Sequence, residues 1–74
     1  MKKLALCIGN DDYEILPRLN CCIADATAIE EQLKNLGFDT ILKTNLNRES
    51  LADEILGFVE QIRQYDAVLL YYAG

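Results

Sequence analysis

The apolar residues of this chain switch back and forth between two spacings, and that switching constrains the fold more than any other feature. Residues 3–8 (Lys-Leu-Ala-Leu-Cys-Ile) form a short, almost continuous apolar run closed by Gly9-Asn10-Asp11-Asp12. Such a run, without polar alternation, reads as a strand covered on both faces and followed by a turn. The stretch from Tyr13 to Leu19 holds the one proline, Pro17, and reads as a loop. The spacing then changes. Cys22, Ala26, Ile29, Leu33 and Leu36 step by four, three, four and three, which is one face of a helix. Asn20 is a plausible N-cap for that helix, Gly37 a C′ residue that ends it, and Glu30, Glu31, Lys34 and Asn35 fall on the wet side.

The alternation repeats. Residues 38–43 (Phe-Asp-Thr-Ile-Leu-Lys) read as a second strand nearer a sheet edge. Asn47 is the next N-cap, with Leu46 and Leu51 placed for a hydrophobic staple. Leu51, Ile55, Phe58 and Ile62 make the stripe of a second helix, in which Gly57 either costs roughly 1 kcal/mol against Ala or marks a close contact. Residues 67–72 (Ala-Val-Leu-Leu-Tyr-Tyr) form a third strand, whose unbroken apolar character predicts a central place in the sheet. Strands joined by helical crossovers are parallel. The expected fold is therefore α/β, a three-layer α/β/α arrangement with a parallel sheet in β-α-β-α-β order. Ligands of such sheets bind beyond the carboxyl ends of the strands. Gly9 to Asp12, Thr44 to Asn47 and Ala73-Gly74 converge there. Three strands are few for such a sheet. The third leaves an apolar open edge, so self-association through that edge is expected, as is a longer domain of which this is the first part.

Composition removes several functions. With 74 residues and a net charge of −5, seven Lys and Arg are too few and too scattered to follow a phosphate backbone, so no nucleic acid partner is expected. There is no histidine, hence no Ser–His or Cys–His dyad and no histidine metal site within these residues. No apolar run approaches the ~20 residues that span a bilayer, so no membrane association is expected. The start is too short and too soon charged for a signal peptide. An odd set of three cysteines without a secretion signal points to reduced thiols and a cytoplasmic location. The Gly9 turn offers one glycine where a dinucleotide fingerprint needs three, and no P-loop is present, so no cofactor is expected.

The remaining polar groups have competing readings. Asp11 and Asp12 are either oxygen ligands for a divalent cation or solvated turn carboxylates, and turn preferences favour the second, so no metal is expected. A receiver-like regulatory module would place a phosphate-accepting Asp at the end of the third strand, but that strand ends Tyr71-Tyr72-Ala73-Gly74. Cys21 and Cys22 lie in the first turn of the first helix, where a thiol pKa is lowered, yet the chain holds no base to serve a nucleophile. Cys22 also lies on the apolar stripe, which favours packing, and Cys7 reads as core. Asp25, one turn after Cys22, is placed on the semi-buried side of the helix. It is either a partner for the helix dipole or a carboxylate lining a pocket for a cationic group. Tyr71 and Tyr72 point to opposite faces of the third strand.

Taken together, Leu4-Ala5-Leu6-Cys7-Ile8-Gly9-Asn10, the run Leu19-Asn20-Cys21-Cys22-Ile23-Ala24-Asp25-Ala26, the Leu36-Gly37-Phe38 junction and the closing Tyr71-Tyr72-Ala73-Gly74 resemble the caspase-like cysteine peptidases, and within them the metacaspases and their prokaryotic relatives. The resemblance runs over essentially the whole chain. It implies that residues 1–74 are the N-terminal portion of one caspase-like domain. In that family the third strand ends in Tyr-(Ser or Ala)-Gly followed by the His-Gly of the catalytic base, and the nucleophilic cysteine comes later. Neither catalytic residue then lies within this chain. The resemblance also implies that Asp25 and Cys22 face the pocket for the side chain preceding the scissile bond, where a carboxylate selects Arg or Lys. Asn20-Cys21 stand where the family carries Arg-Gly, and Ala24 where it carries Asn, departures that bear on substrate preference rather than on fold. The implied activity is endopeptidase cleavage of a peptide or protein substrate by a Cys–His dyad. A non-catalytic, receiver-like interaction module is the alternative.

Overall fold

The structure, a computed structural model, describes residues 1–10 and 22–73. Strand β1 is Lys3–Gly9, helix α1 is Cys22–Asn35, strand β2 is Asp39–Thr44, helix α2 is Arg48–Gln61 and strand β3 is Ala67–Ala73, with a short 3₁₀ turn at Ile62–Gln64 leading into β3. All pairings are parallel, in the order β2-β1-β3. The α/β class and the parallel sheet expected from the chain are thus present.

The layers follow from the alternation of β1. Leu4, Leu6 and Ile8 point to one face and pack with Phe58 of α2, joined by Ile41, Leu46, Leu51, Ile62 and Tyr65. Ala5 and Cys7 point to the other face and pack with Leu33 of α1, joined by Ile29, Phe38, Leu42 and Tyr71. The chain crosses the sheet one way from β1 to β2 and back the other way from β2 to β3. Right-handed crossovers then put their helices on opposite faces, and the two clusters have that arrangement.

Local signals start α2 and stop α1 where expected. Asn47 accepts a hydrogen bond from the Ser50 backbone N–H at 2.8 Å and caps α2. Leu46 before the cap and Leu51 after it pack into the same cluster, as a staple requires. Helix α1 ends in a Schellman motif: the Gly37 N–H donates to the Lys34 carbonyl at 3.0 Å, the Phe38 N–H donates to the Leu33 carbonyl at 2.9 Å, and Gly37 has φ 90°.

Other expectations are corrected. Strand β3 is at the edge of the described sheet, not its centre, and its Val68, Leu69, Leu70 and Tyr72 are 41%, 37%, 50% and 51% exposed. An apolar run reports that a strand is suited to two covered faces; it carries no information on strand order. Leu36 does not extend the α1 stripe, because it lies beyond the last helical residue and is 63% exposed. Glu30 is not on the wet side. It is buried with Ala26 and Leu33, from which it is spaced by four and three, because the face of α1 that meets the sheet is centred between Ile29 and Glu30. Nothing lies within 4 Å of a Cβ built on Gly57, so that glycine marks no close contact. Asn20 and the loop before it lie outside the described residues.

Candidate functional site

The register brings the carboxyl ends of the strands level: Gly9 is opposite Thr44 on one side and Ala73 on the other. The segments after the strands are tied together there. The Asn10 backbone N–H donates to the Ala73 carbonyl at 2.8 Å, and the Asn45 N–H donates to the Gly9 carbonyl at 3.0 Å. Asn45 has φ 52°, a left-handed conformation that Asn tolerates better than most side chains. The Asn10 side chain adds two longer links. Its Oδ1 accepts from the Leu46 N–H at 3.0 Å, and its Nδ2 donates to the Tyr72 hydroxyl at 3.1 Å.

The start of α1 is pressed against this rim. A Cβ on Gly9 would lie 2.7 Å from the Cys22 carbonyl oxygen, 2.9 Å from the Ile23 Cα and 3.0 Å from the Ala26 Cβ. A side chain at position 9 would therefore drive the helix off the strand, which explains a glycine at the end of an otherwise apolar run. The same contact sets Cys22, half-buried, beside the end of β1. Asp25 is in the first turn of α1 but exposed, not on the semi-buried side expected for it. It immediately precedes the fully buried Ala26, and one residue turns about 100° around a helix. Cys21, Asp11, Asp12 and Gly74 lie outside the described residues.

Cys7 sits in the core, as its strand position predicts. Burial, and next the Glu30 carboxylate, push its thiol pKa up, so it stays protonated and is no nucleophile. Glu30 accepts from the Thr40 hydroxyl at 3.2 Å and pairs with Lys34 at 3.5 Å, which links α1 to β2 across the same face. Tyr71 and Tyr72 do diverge: Tyr71 packs in the α1-side cluster and Tyr72 turns its hydroxyl to Asn10. Among the described residues, no group of three or more His, Cys, Asp or Glu is placed to hold a metal ion, and no helix is long and apolar enough to cross a membrane.

The family model of the caspase domain matches residues 2–74, almost the entire chain. The chain belongs to the caspase-domain family. That membership makes it a relative of cysteine peptidases that act on protein substrates, and a receiver-like module is not favoured. No curated protein and no solved structure matches it. For a caspase domain the informative parts of this rim are the ones sequence reasoning passed over. The chain shows Asn10 as a turn residue closing a family motif and Asn45 as part of the segment Thr44 to Asn47, with no bonding role for either. Their signal was present in the three asparagines that sit on the segments following β1 and β2, but their partners lie far along the chain.

Proposed function

We propose that residues 1–74 form the amino-terminal part of a cysteine endopeptidase domain of the metacaspase-like branch, working in the cytoplasm without a cofactor and cleaving peptide bonds after Arg or Lys. The caspase-domain match over residues 2–74 carries this reading. The convergence of Gly9, Thr44 and Ala73 at one rim supports it, since a parallel sheet offers its ligand site there. In this proposal the histidine base and the nucleophilic cysteine come from residues following Gly74, as the family's order of motifs implies; these 74 residues contain no histidine. The cysteine thiolate adds to the scissile carbonyl carbon. The carbon–nitrogen bond then breaks as the histidine passes its proton to the leaving amine, and water hydrolyses the resulting thioester. A backbone N–H near that histidine stabilises the oxyanion. Asp25, exposed in the first turn of α1, supplies the carboxylate for a substrate Arg or Lys, with Cys22 beside it in the wall of the pocket.

The test begins with the reading frame beyond Gly74. The expected continuation is His-Gly with a cysteine some tens of residues later, and a stop codon in its place ends the proposal. In the active protein, Asp25→Ala is expected to lower kcat/KM for Arg substrates by roughly 30- to 150-fold, the equivalent of about 2–3 kcal/mol for a hydrogen bond to a charged group. Unchanged kinetics would remove Asp25 from the pocket. The 74-residue chain alone is expected to cleave nothing.

A further inference from the structure

We propose that Asn10 is a positioning residue: one side chain that sets the carboxyl end of β3 against the loop leading from β2 into α2, and so aligns whatever chain follows β3 at the rim. The proposal rests on the reading of this rim as that of a peptidase, but the link itself stands on geometry. The Leu46 backbone N–H can only donate, so it must face the amide oxygen of Asn10, 3.0 Å away. That orientation leaves the amide NH₂ to donate to the Tyr72 hydroxyl oxygen at 3.1 Å. The amide is therefore held in one orientation, with a donor and an acceptor each committed to a different segment.

The backbone around it reinforces the arrangement. The Asn10 N–H donates to Ala73, the last described residue of β3, at 2.8 Å. The neighbouring Asn45 N–H donates to the Gly9 carbonyl at 3.0 Å, and the φ of 52° at Asn45 turns the chain so that the next amide, that of Leu46, meets the Asn10 side chain. Leu46 in turn packs against the core cluster shared by β1 and α2. Movement of the β3 end is thus coupled through Asn10 to a loop anchored in the core. Asn10 touches no reacting group in this scheme. Its effect on the reaction is on alignment, where a small misplacement is costly to the chemical step and not to substrate binding.

The experiment compares Asn10→Ala, Asn10→Asp and Tyr72→Phe in the active protein and, in parallel, follows amide hydrogen exchange in the same protein. Asn10→Ala is expected to lower kcat by roughly tenfold or more with KM little changed. It is also expected to speed exchange at the Leu46 and Asn10 amides while those of Leu4 to Ile8 stay protected. Asn10→Asp keeps an acceptor for Leu46 and can accept from the Tyr72 hydroxyl, so it is expected to restore most of both readouts, with Tyr72→Phe intermediate. Exchange at Leu46 unchanged in Asn10→Ala, a loss confined to KM, or a uniform rise in exchange through β1 would each overturn the proposal. If the protein with its natural residues shows no peptidase activity, the peptidase reading fails, and the exchange pattern by itself upholds or overturns the link.

Discussion

A side chain at position 9 has nowhere to go. The added Cβ of Gly9→Ala would meet a backbone carbonyl at 2.7 Å and a Cα at 2.9 Å, and backbone cannot swing aside as the end of a flexible side chain can. Overpacking of this kind costs about 1–3 kcal/mol. Gly9→Ala is therefore expected to lower the urea midpoint of unfolding by that equivalent, and an unchanged midpoint would mean that α1 does not rest on the end of β1. A glycine at the end of a strand is plain from the chain. The requirement for one is not, because the opposing atoms belong to Cys22, Ile23 and Ala26, in another element. Glu30 makes the same point in reverse. Its charge marks it as a surface residue, yet it is 9% exposed, because Thr40 and Lys34 supply the hydrogen bond and the opposite charge that burial demands.

The elements themselves were readable, since what makes and ends them is local. The Asn47 cap, the Leu46–Leu51 staple and the Gly37 turn each act within a few residues, and each is found where the spacing puts it. Two substitutions in α2 separate its local energetics from its packing. Asn47→Ala removes the bond to the Ser50 N–H and is expected to cost about 1 kcal/mol. Gly57→Ala meets nothing within 4 Å and is expected to stabilise the chain by up to about 1 kcal/mol. Thermal unfolding of both variants checks the pair, and a Gly57→Ala variant that melts earlier would show that position 57 is crowded after all.

At the scale of the whole molecule the open flank of β3 dominates. Val68, Leu70 and Tyr72 lie on one face of that strand and Leu69 on the other, all exposed, and the outer edge of β3 pairs with no other described strand. An apolar edge of this kind is a template for another strand. We expect the 74-residue chain by itself to self-associate with rising concentration, and Leu70→Lys to shift sedimentation toward the monomer. A monomer at all concentrations, with and without Leu70→Lys, would show that the edge recruits nothing. The same flank explains why strand order escaped a reading of the chain. β3 is as apolar as a central strand, while β1, buried from Leu4 to Gly9, takes the middle because the connection from β2 to β3 crosses over it.

The order of residues alone determined the class of fold, the parallel sheet, the end of α1, the start of α2 and the three segments that meet at the rim, since hydrophobic period and capping chemistry operate over a few residues at a time. Strand order, the burial of Glu30, the exposure of Asp25 and the double engagement of Asn10 were decided only in three dimensions. Those depend on contacts such as Leu46 to Asn10 and Asn10 to Tyr72, which join positions 36 and 62 residues apart, beyond the reach of any local period.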